Sequence, residues 1–194
     1  MARTLREGQA VWSLTLCRLH FSLATTATLQ LLLSLRMDPK GEGWEKALFL
    51  VHQLDGLLVF TLVVFHWLWL ARGDDGGIVR LFCWLTAAGR RAILDDLRAL
   101  LRRRLPRGGP RMGLPAAVEG IGLSLVTLQG STGFLFFTAA SLEGTLPEPL
   151  QPLVQFHKLC GELLWIFLAG HGGMALLHAV SGDPVLRAIS PFRR

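Results

Sequence analysis

The sequence predicts an all-α protein: an integral membrane four-helix bundle with an additional amphipathic interfacial helix in the cytoplasmic loop between spans two and three. Three observations predict it. Of the 194 residues, 51% are hydrophobic and only 18% charged, with a mean hydropathy of +0.43, which disfavours both a disordered chain and a water-soluble globule. Four apolar runs are each long enough for the ~20 residues that cross a bilayer. The basic residues lie beside those runs, most densely between the second and third.

Span one is expected over about residues 12–35, interrupted by Arg18, His20 and a threonine-rich middle (Thr25, Thr26, Thr28) whose hydroxyls can bond back to the helix. Arg3 and Arg6 precede it as a signal peptide's basic region would, but the run is long and no A-x-A-like site follows, so it is expected to be retained. Span two covers about 47–71. The breaker-rich PRGGPRMGLP then leads into span three, about 114–138, where Gly120, Gly122, Gly130 and Gly133 permit close approach of a neighbouring helix or a flat ligand. Span four, about 153–180, follows the proline-rich LPEPLQP and is stopped by SGDP. Trp12, Trp44 and Trp69 fall near span ends, where amphipathic rings suit the interface. Residues 1–194 thus form one membrane domain.

Loop charges orient the spans. Arg72 to Arg111 carries ten Arg against Asp74, Asp75, Asp95 and Asp96, whereas Ala139 to Gln155 carries no Lys or Arg and two Glu, Glu143 and Glu148. The arginine-rich loop is therefore cytoplasmic, and Arg3, Arg6, Arg187, Arg193 and Arg194 put both termini on the same side. The remaining loop balances Arg36, Lys40 and Lys46 against Asp38, Glu42 and Glu45. Within the basic loop an amphipathic helix is expected over about 87–105, with Ala92, Ile93, Leu97, Leu100, Leu101 and Leu105 near one stripe and Arg90, Arg91, Asp95, Arg98, Arg102 and Arg103 largely elsewhere. Such a helix rests on anionic headgroups or docks a cytoplasmic partner.

The net charge of +6 and pI near 10.2 reflect that topology, and no nucleic-acid partner is expected. Cys17, Cys83 and Cys160 are odd in number and show no CxxC spacing, so neither a disulfide framework nor a thiolate metal site is indicated.

All six histidines fall within the expected spans or at their ends: His20, His52, His66, His157, His171 and His178. One intramembrane imidazole can be an interhelical hydrogen bond, but six are hard to account for that way. His52 and His66 are 14 residues apart, and so are His157 and His171. At 100° per residue that spacing leaves about 40° of offset, so each pair shares a face with roughly 21 Å between its members. Spans two and four both descend from the outer side. His52 and His157 therefore meet at an outer level, and His66 and His171 at an inner one, which His20 on the ascending span one also reaches. Zinc or di-iron sites want tighter clusters with carboxylates. A b-type haem instead needs one imidazole from each of two helices, an apolar slot, and small residues where the macrocycle presses on backbone. Gly56 and Gly161, each four residues after an outer His, supply such relief.

RLHFSLA in span one, HQLDGLLVF in span two, and FHKLCGELLWIFLAGHGGMALLH followed by GDPVLR in span four resemble the bacterial cytochrome b561 family. That family also takes in the b-type cytochrome subunits of nickel-iron hydrogenases and formate dehydrogenases. The resemblance covers most of the chain; the arginine-rich loop is longer than in compact members. It implies two haem b groups, the outer held by His52 and His157 and the inner by His20 and His171. His66 is the alternative to His20, because 14-residue pairs on two helices also resemble cytochrome b of quinol-oxidising complexes. Whichever of the two does not hold iron is expected to hydrogen-bond a haem propionate or a quinone. Arg18 belongs to the span-one pattern, and His178 is expected at a propionate or headgroup.

Asp55, Glu119 and Glu162 are the other intramembrane ionisable groups. Each could orient an imidazole or relay protons; Asp55 is expected to pair with Lys158, and Glu119 is the candidate for quinone protonation. The reading is a di-haem wire in the bacterial inner membrane, passing electrons between the quinone pool and a redox partner, with quinone as substrate and no covalent chemistry of the chain's own. Expected partners are lipid, quinone, and a catalytic oxidoreductase subunit, a soluble electron carrier or a second copy of the chain. The alternatives are a self-contained superoxide:quinone oxidoreductase, whose outer face here is too acidic to steer anions well, an anchor subunit, and a non-redox scaffold or transporter, for which no inverted repeat or broken helix pair is present.

Overall fold

A computed structural model describes residues 12–106, 109–140, 146–183 and 185–192. Arg3, Arg6, Glu143, Arg193 and Arg194, used above to orient the chain, lie outside the described residues. Among the described residues the regular structure is entirely helical: α1 (Leu14–Ser34), α2 (Trp44–Ala71), α3 (Gly77–Leu81), α4 (Ala87–Leu101), α5 (Leu114–Ala139), α6 (Gln151–Val180) and α7 (Val185–Ala188), with short 3₁₀ turns at 74–76, 83–85 and 148–150. α1 packs on α2, α2 on α5, α5 on α6, and α6 returns to α1.

Among the described residues three helical stretches are long and apolar enough to cross a membrane, Trp44–Ala71, Leu114–Ala139 and Glu148–Val180. α1 has the length but not the composition, because Arg18, His20, Gln30 and four threonines dilute its leucines. Its polar side chains are managed locally: Thr25, Thr26 and Thr28 donate to the carbonyls of Phe21, Ser22 and Ala24, four residues back. Thr61, Ser124, Thr127 and Thr132 do the same on α2 and α5. A hydroxyl satisfied within its own helix removes the cost of an unmet polar group in hydrocarbon.

The large apolar side chains divide between two surfaces. Leu23, Leu31, Val59, Val63, Leu70, Leu81, Leu123, Val126 and Leu164 form the central core, while Leu54, Phe65, Leu68, Leu163 and Ile166 (70% exposed) turn outward. An outer surface that apolar is the pattern expected where lipid is the solvent. Interhelical contact is aromatic as well as aliphatic. Phe60 and Phe134 stack at 4.8 Å between α2 and α5, and Trp67 Nε1 donates to Thr127 Oγ1 at 2.9 Å.

The segment after α2 does more than connect. α3 folds back onto the helix ends at Ala71 and Leu114, the end expected to be the inner one, with Arg80 and Leu81 buried, and its last turn lies directly against α5, where a Cβ on Gly120 would collide with the Leu81 carbonyl oxygen. α4 starts at Thr86, whose side chain accepts from Gly89 N at 3.0 Å, and packs on the 83–85 turn and on α5. It ends at Leu101, four residues before the expected boundary, because the chain reverses through Arg103 at φ 56°. Asp96 on α4 accepts from Leu114 N at 2.8 Å and pairs with Arg111 at 2.9 Å, satisfying the first turn of α5.

Replacing Gly120 by Val should force α3 off α5. We expect a loss of about 1–3 kcal/mol, read as a lower thermal midpoint of the purified protein in detergent.

Candidate functional site

Five of the six histidines line two cavities, one at each end of the core. The inner cavity, about 120 Å³, is walled by His20, His66, His171 and Glu119 among apolar side chains that include Leu23, Leu31, Val126 and Leu164. The outer one is larger, about 610 Å³, and more polar, with His52 and His157 joined by Gln30, Gln53, Gln129 and Lys158. The helices thus bring His20, His66 and His171 together, and separately His52 and His157.

The rings of His20 on α1 and His171 on α6 lie 6.1 Å apart between centroids, tilted by 56°. A metal held by two imidazoles at about 2 Å from each nitrogen puts ring centres roughly 6 Å apart, so the spacing of this pair fits an iron between them. His171 is braced from behind by Phe167, stacked on it at 5.2 Å and 11°. Phe167 has room for that position because residue 122 is glycine: a Cβ there would run into the phenyl ring. His66 is 4% exposed, and neither of its ring nitrogens has a hydrogen-bond partner.

At the outer level the hydrogen bonds assign the state of His157. Gln129 Nε2 can only donate, so His157 Nε2 is the acceptor of that pair, and Thr132 Oγ1, 2.7 Å from His157 Nδ1, can accept there because its own proton can go to the Leu128 carbonyl at 2.8 Å. Nδ1 therefore carries the proton and Nε2 the lone pair, which accepts from the Gln129 amide at 3.0 Å. With Nδ1–H held by Thr132, Nε2 is the nitrogen this tautomer offers a metal, and in the structure the Gln129 amide occupies its lone pair. His52 Nδ1 and Gln129 Oε1 are buried there without partners. The backbone of His52 is tied to α1 by Gln30 Nε2, which donates to its carbonyl at 2.6 Å. Gly56 lines this cavity, facing the Gln30 amide at 3.3 Å from where a Cβ would sit. Gly161 faces Gln129 at 3.6 Å, and Gly133 faces the ring of His157 at 3.4 Å.

The remaining expected residues fall as follows. Glu119 walls the inner cavity with both oxygens bound by Arg80, at 2.8 and 3.0 Å. Arg18 is exposed on α1. His178 walls neither cavity and meets Asp183 at 3.1 Å where α6 ends. Asp55 faces Gln30 on α1, with Oδ2 buried and unpartnered, and no ion pair joins it to Lys158 among the described residues. Glu162 is exposed. Among the described residues no three His, Cys, Asp or Glu side chains cluster as a metal site, so two-imidazole ligation is the arrangement these side chains offer.

The model of the family described as "Prokaryotic cytochrome b561" matches residues 11–191. The chain belongs to the prokaryotic cytochrome b561 family. Its relatives bind b-type haem, which agrees with paired imidazoles on separate helices, and membrane electron transfer by a b-type cytochrome is the activity that membership carries. No curated protein and no solved structure is significantly similar to the chain.

Sequence reasoning missed Arg80 as part of this cytochrome's inner site, counting it as loop charge. It is 3% exposed, bonded to Glu119, to the Asp75 carbonyl at 3.0 Å and to the face of Trp12 at 4.6 Å. The local signal was present: Arg80 is the lone charge in GIVRLFCWL. Thr132 and Gln129 were also passed over, although their three-residue spacing on span three puts both on the His157 face.

Arg80→Ala should strand the Glu119 carboxylate in the core, at a cost of about 3 kcal/mol or more. The double variant Arg80→Ala/Glu119→Ala should be less destabilised than the single one, as read by denaturant unfolding in micelles.

Proposed function

We propose that this protein is a four-span, di-haem b-type cytochrome of the bacterial inner membrane, with both termini cytoplasmic, that passes electrons between the quinone pool and a redox partner. His52 and His157 hold the outer haem, and His20 and His171 the inner one. The observation that carries this reading is the pair of histidine-walled cavities at opposite ends of one core, the inner with its two rings at 6.1 Å.

Each haem supplies a one-electron iron couple near one face of the membrane. The chain's residues do the rest. Thr132 holds His157 in the tautomer that offers Nε2, and Gly122 with Phe167 sets the plane of His171. Leu23, Leu31, Val126 and Leu164 keep water from the inner site. Arg80 takes both oxygens of Glu119, at 2.8 and 3.0 Å, which ties the side chain to α3 and leaves neither oxygen free to reach a bound group. Quinone fits as the inner partner because it dissolves in the lipid that the outward-facing side chains require. Arg18 and His178 serve propionates or headgroups at the inner surface, where α4 rests with Leu97 and Leu101 toward lipid and its arginines toward anionic headgroups.

The test is haem content. Pyridine haemochrome analysis of the purified protein should give two haems per chain, and redox titration two b-type steps. His52→Phe or His157→Phe should remove one step, and His20→Phe or His171→Phe the other. A folded protein without b-type haem would overturn the reading.

A further inference from the structure

Three imidazoles wall the inner cavity, and two of them would complete the ligand set of a b-type haem, leaving the third for another role. His20 and His171 already stand at the spacing two ligands need. His66 is the third, and its surroundings are unusual. It is 4% exposed, it opens on the cavity, and both of its ring nitrogens are without a partner. A neutral imidazole has one N–H to give and one lone pair to receive, and buried polar groups of that kind are almost always met.

The cavity wall does not meet them. Its carboxylate, Glu119, has each oxygen taken by a different nitrogen of Arg80, and that pairing leaves no uncompensated charge for a third ionic group to answer. Leu31, Val126 and Leu164 offer no polar atom. What His66 lacks is an acceptor for its N–H, and the place from which one can come is the cavity itself.

We propose that His66 donates a hydrogen bond to an sp² oxygen brought into the inner cavity by the bound group, and is not an iron ligand. This rests on the reading of that cavity as the inner haem site with His20 and His171 as ligands. The chemistry is that of a carboxylate or carbonyl oxygen, which a haem propionate and a quinone both carry. His66 is then a binding residue of the site whose contribution lies in the potential of the iron couple or in quinone affinity.

The experiment compares the purified, full-length haem protein with His66→Phe, which removes the donor, and His66→Gln, which restores an N–H donor at similar reach without an imidazole to offer iron. Both variants should keep the wild-type haem content. In His66→Phe, either the inner midpoint potential shifts, pointing to the propionate, or the KM for a short-chain ubiquinol rises about tenfold, the scale of one lost hydrogen bond, pointing to the quinone. His66→Gln should return the affected quantity toward wild type. If His66→Phe fails to fold, His66→Asn, whose amide stops short of the imidazole's reach, takes its place. Loss of one haem from both His66→Phe and His66→Gln would make His66 a ligand and overturn the proposal, as would a donor-less variant with wild-type potential and KM. Absence of haem from the wild type would instead sink the di-haem reading.

Discussion

Asp75 sits where the ends of two long helices would otherwise leave polar groups unmet, and the inner half of the molecule depends on it. Its carboxylate accepts from Ser13 N at 2.8 Å and Ser13 Oγ at 2.6 Å, at the start of α1, and from Trp69 Nε1 at 3.1 Å, at the end of α2. Its carbonyl accepts from Arg80, which carries the connection on to Glu119 and hence to α5. The chain holds Asp75 at φ 53° to make these bonds, a conformation that costs a non-glycine residue on the order of 1 kcal/mol. Four charge-assisted or backbone hydrogen bonds offset that. The consequence is register: with α1, α2 and α5 tied at one height, His20, His66 and Glu119 arrive in one cavity.

Helix-by-helix, the fold was legible because hydrocarbon enforces long apolar runs. The expected spans at 47–71, 114–138 and 153–180 compare with α2 from Trp44, α5 to Ala139 and α6 from Gln151. The starts of α2 and α6 were placed two or three residues late, because Glu45, Lys46 and Pro152 read as loop. In the structure Glu45 lies in the first turn of α2, where an acid suits the positive end of the helix, and Pro152 is at the second position of α6, where the missing N–H would have had no partner. Span one was visible by its length and its Arg18 to His20 pattern, although its composition alone is too polar.

The site was legible in its levels and not in its partners. A 14-residue interval specifies that two imidazoles share a helix face, and the chain direction of each span specifies their depth. It does not specify which neighbour a ring meets, because that depends on helix rotation fixed by packing: Phe167 against Gly122 for His171, and Thr132 and Gln129 against His157. The Arg80–Glu119 pair was illegible for the same reason, its members being 39 residues apart and on different helices. Asp55 was assigned to Lys158 by depth, but the rotation of α2 turns it to Gln30 on α1 instead.

The distribution of unmet polar atoms carries the argument one step further. In a chain surrounded by lipid, an unsatisfied buried donor or acceptor has no water to turn to, so the sequence is under pressure to close every one. It does so along the helix walls, where Thr25, Thr26, Thr28, Thr61, Ser124 and Thr127 bond back to their own backbone. Of the five buried side-chain atoms without a partner among the described residues, one is on Asp55, and the other four belong to His52, His66 and Gln129, all of which wall the two cavities. A chain that satisfies its hydroxyls elsewhere and leaves imidazole and amide atoms unmet mainly at two cavities has built those cavities around groups that supply the missing contacts. That pattern is independent of the 14-residue spacing, and it points to the same places.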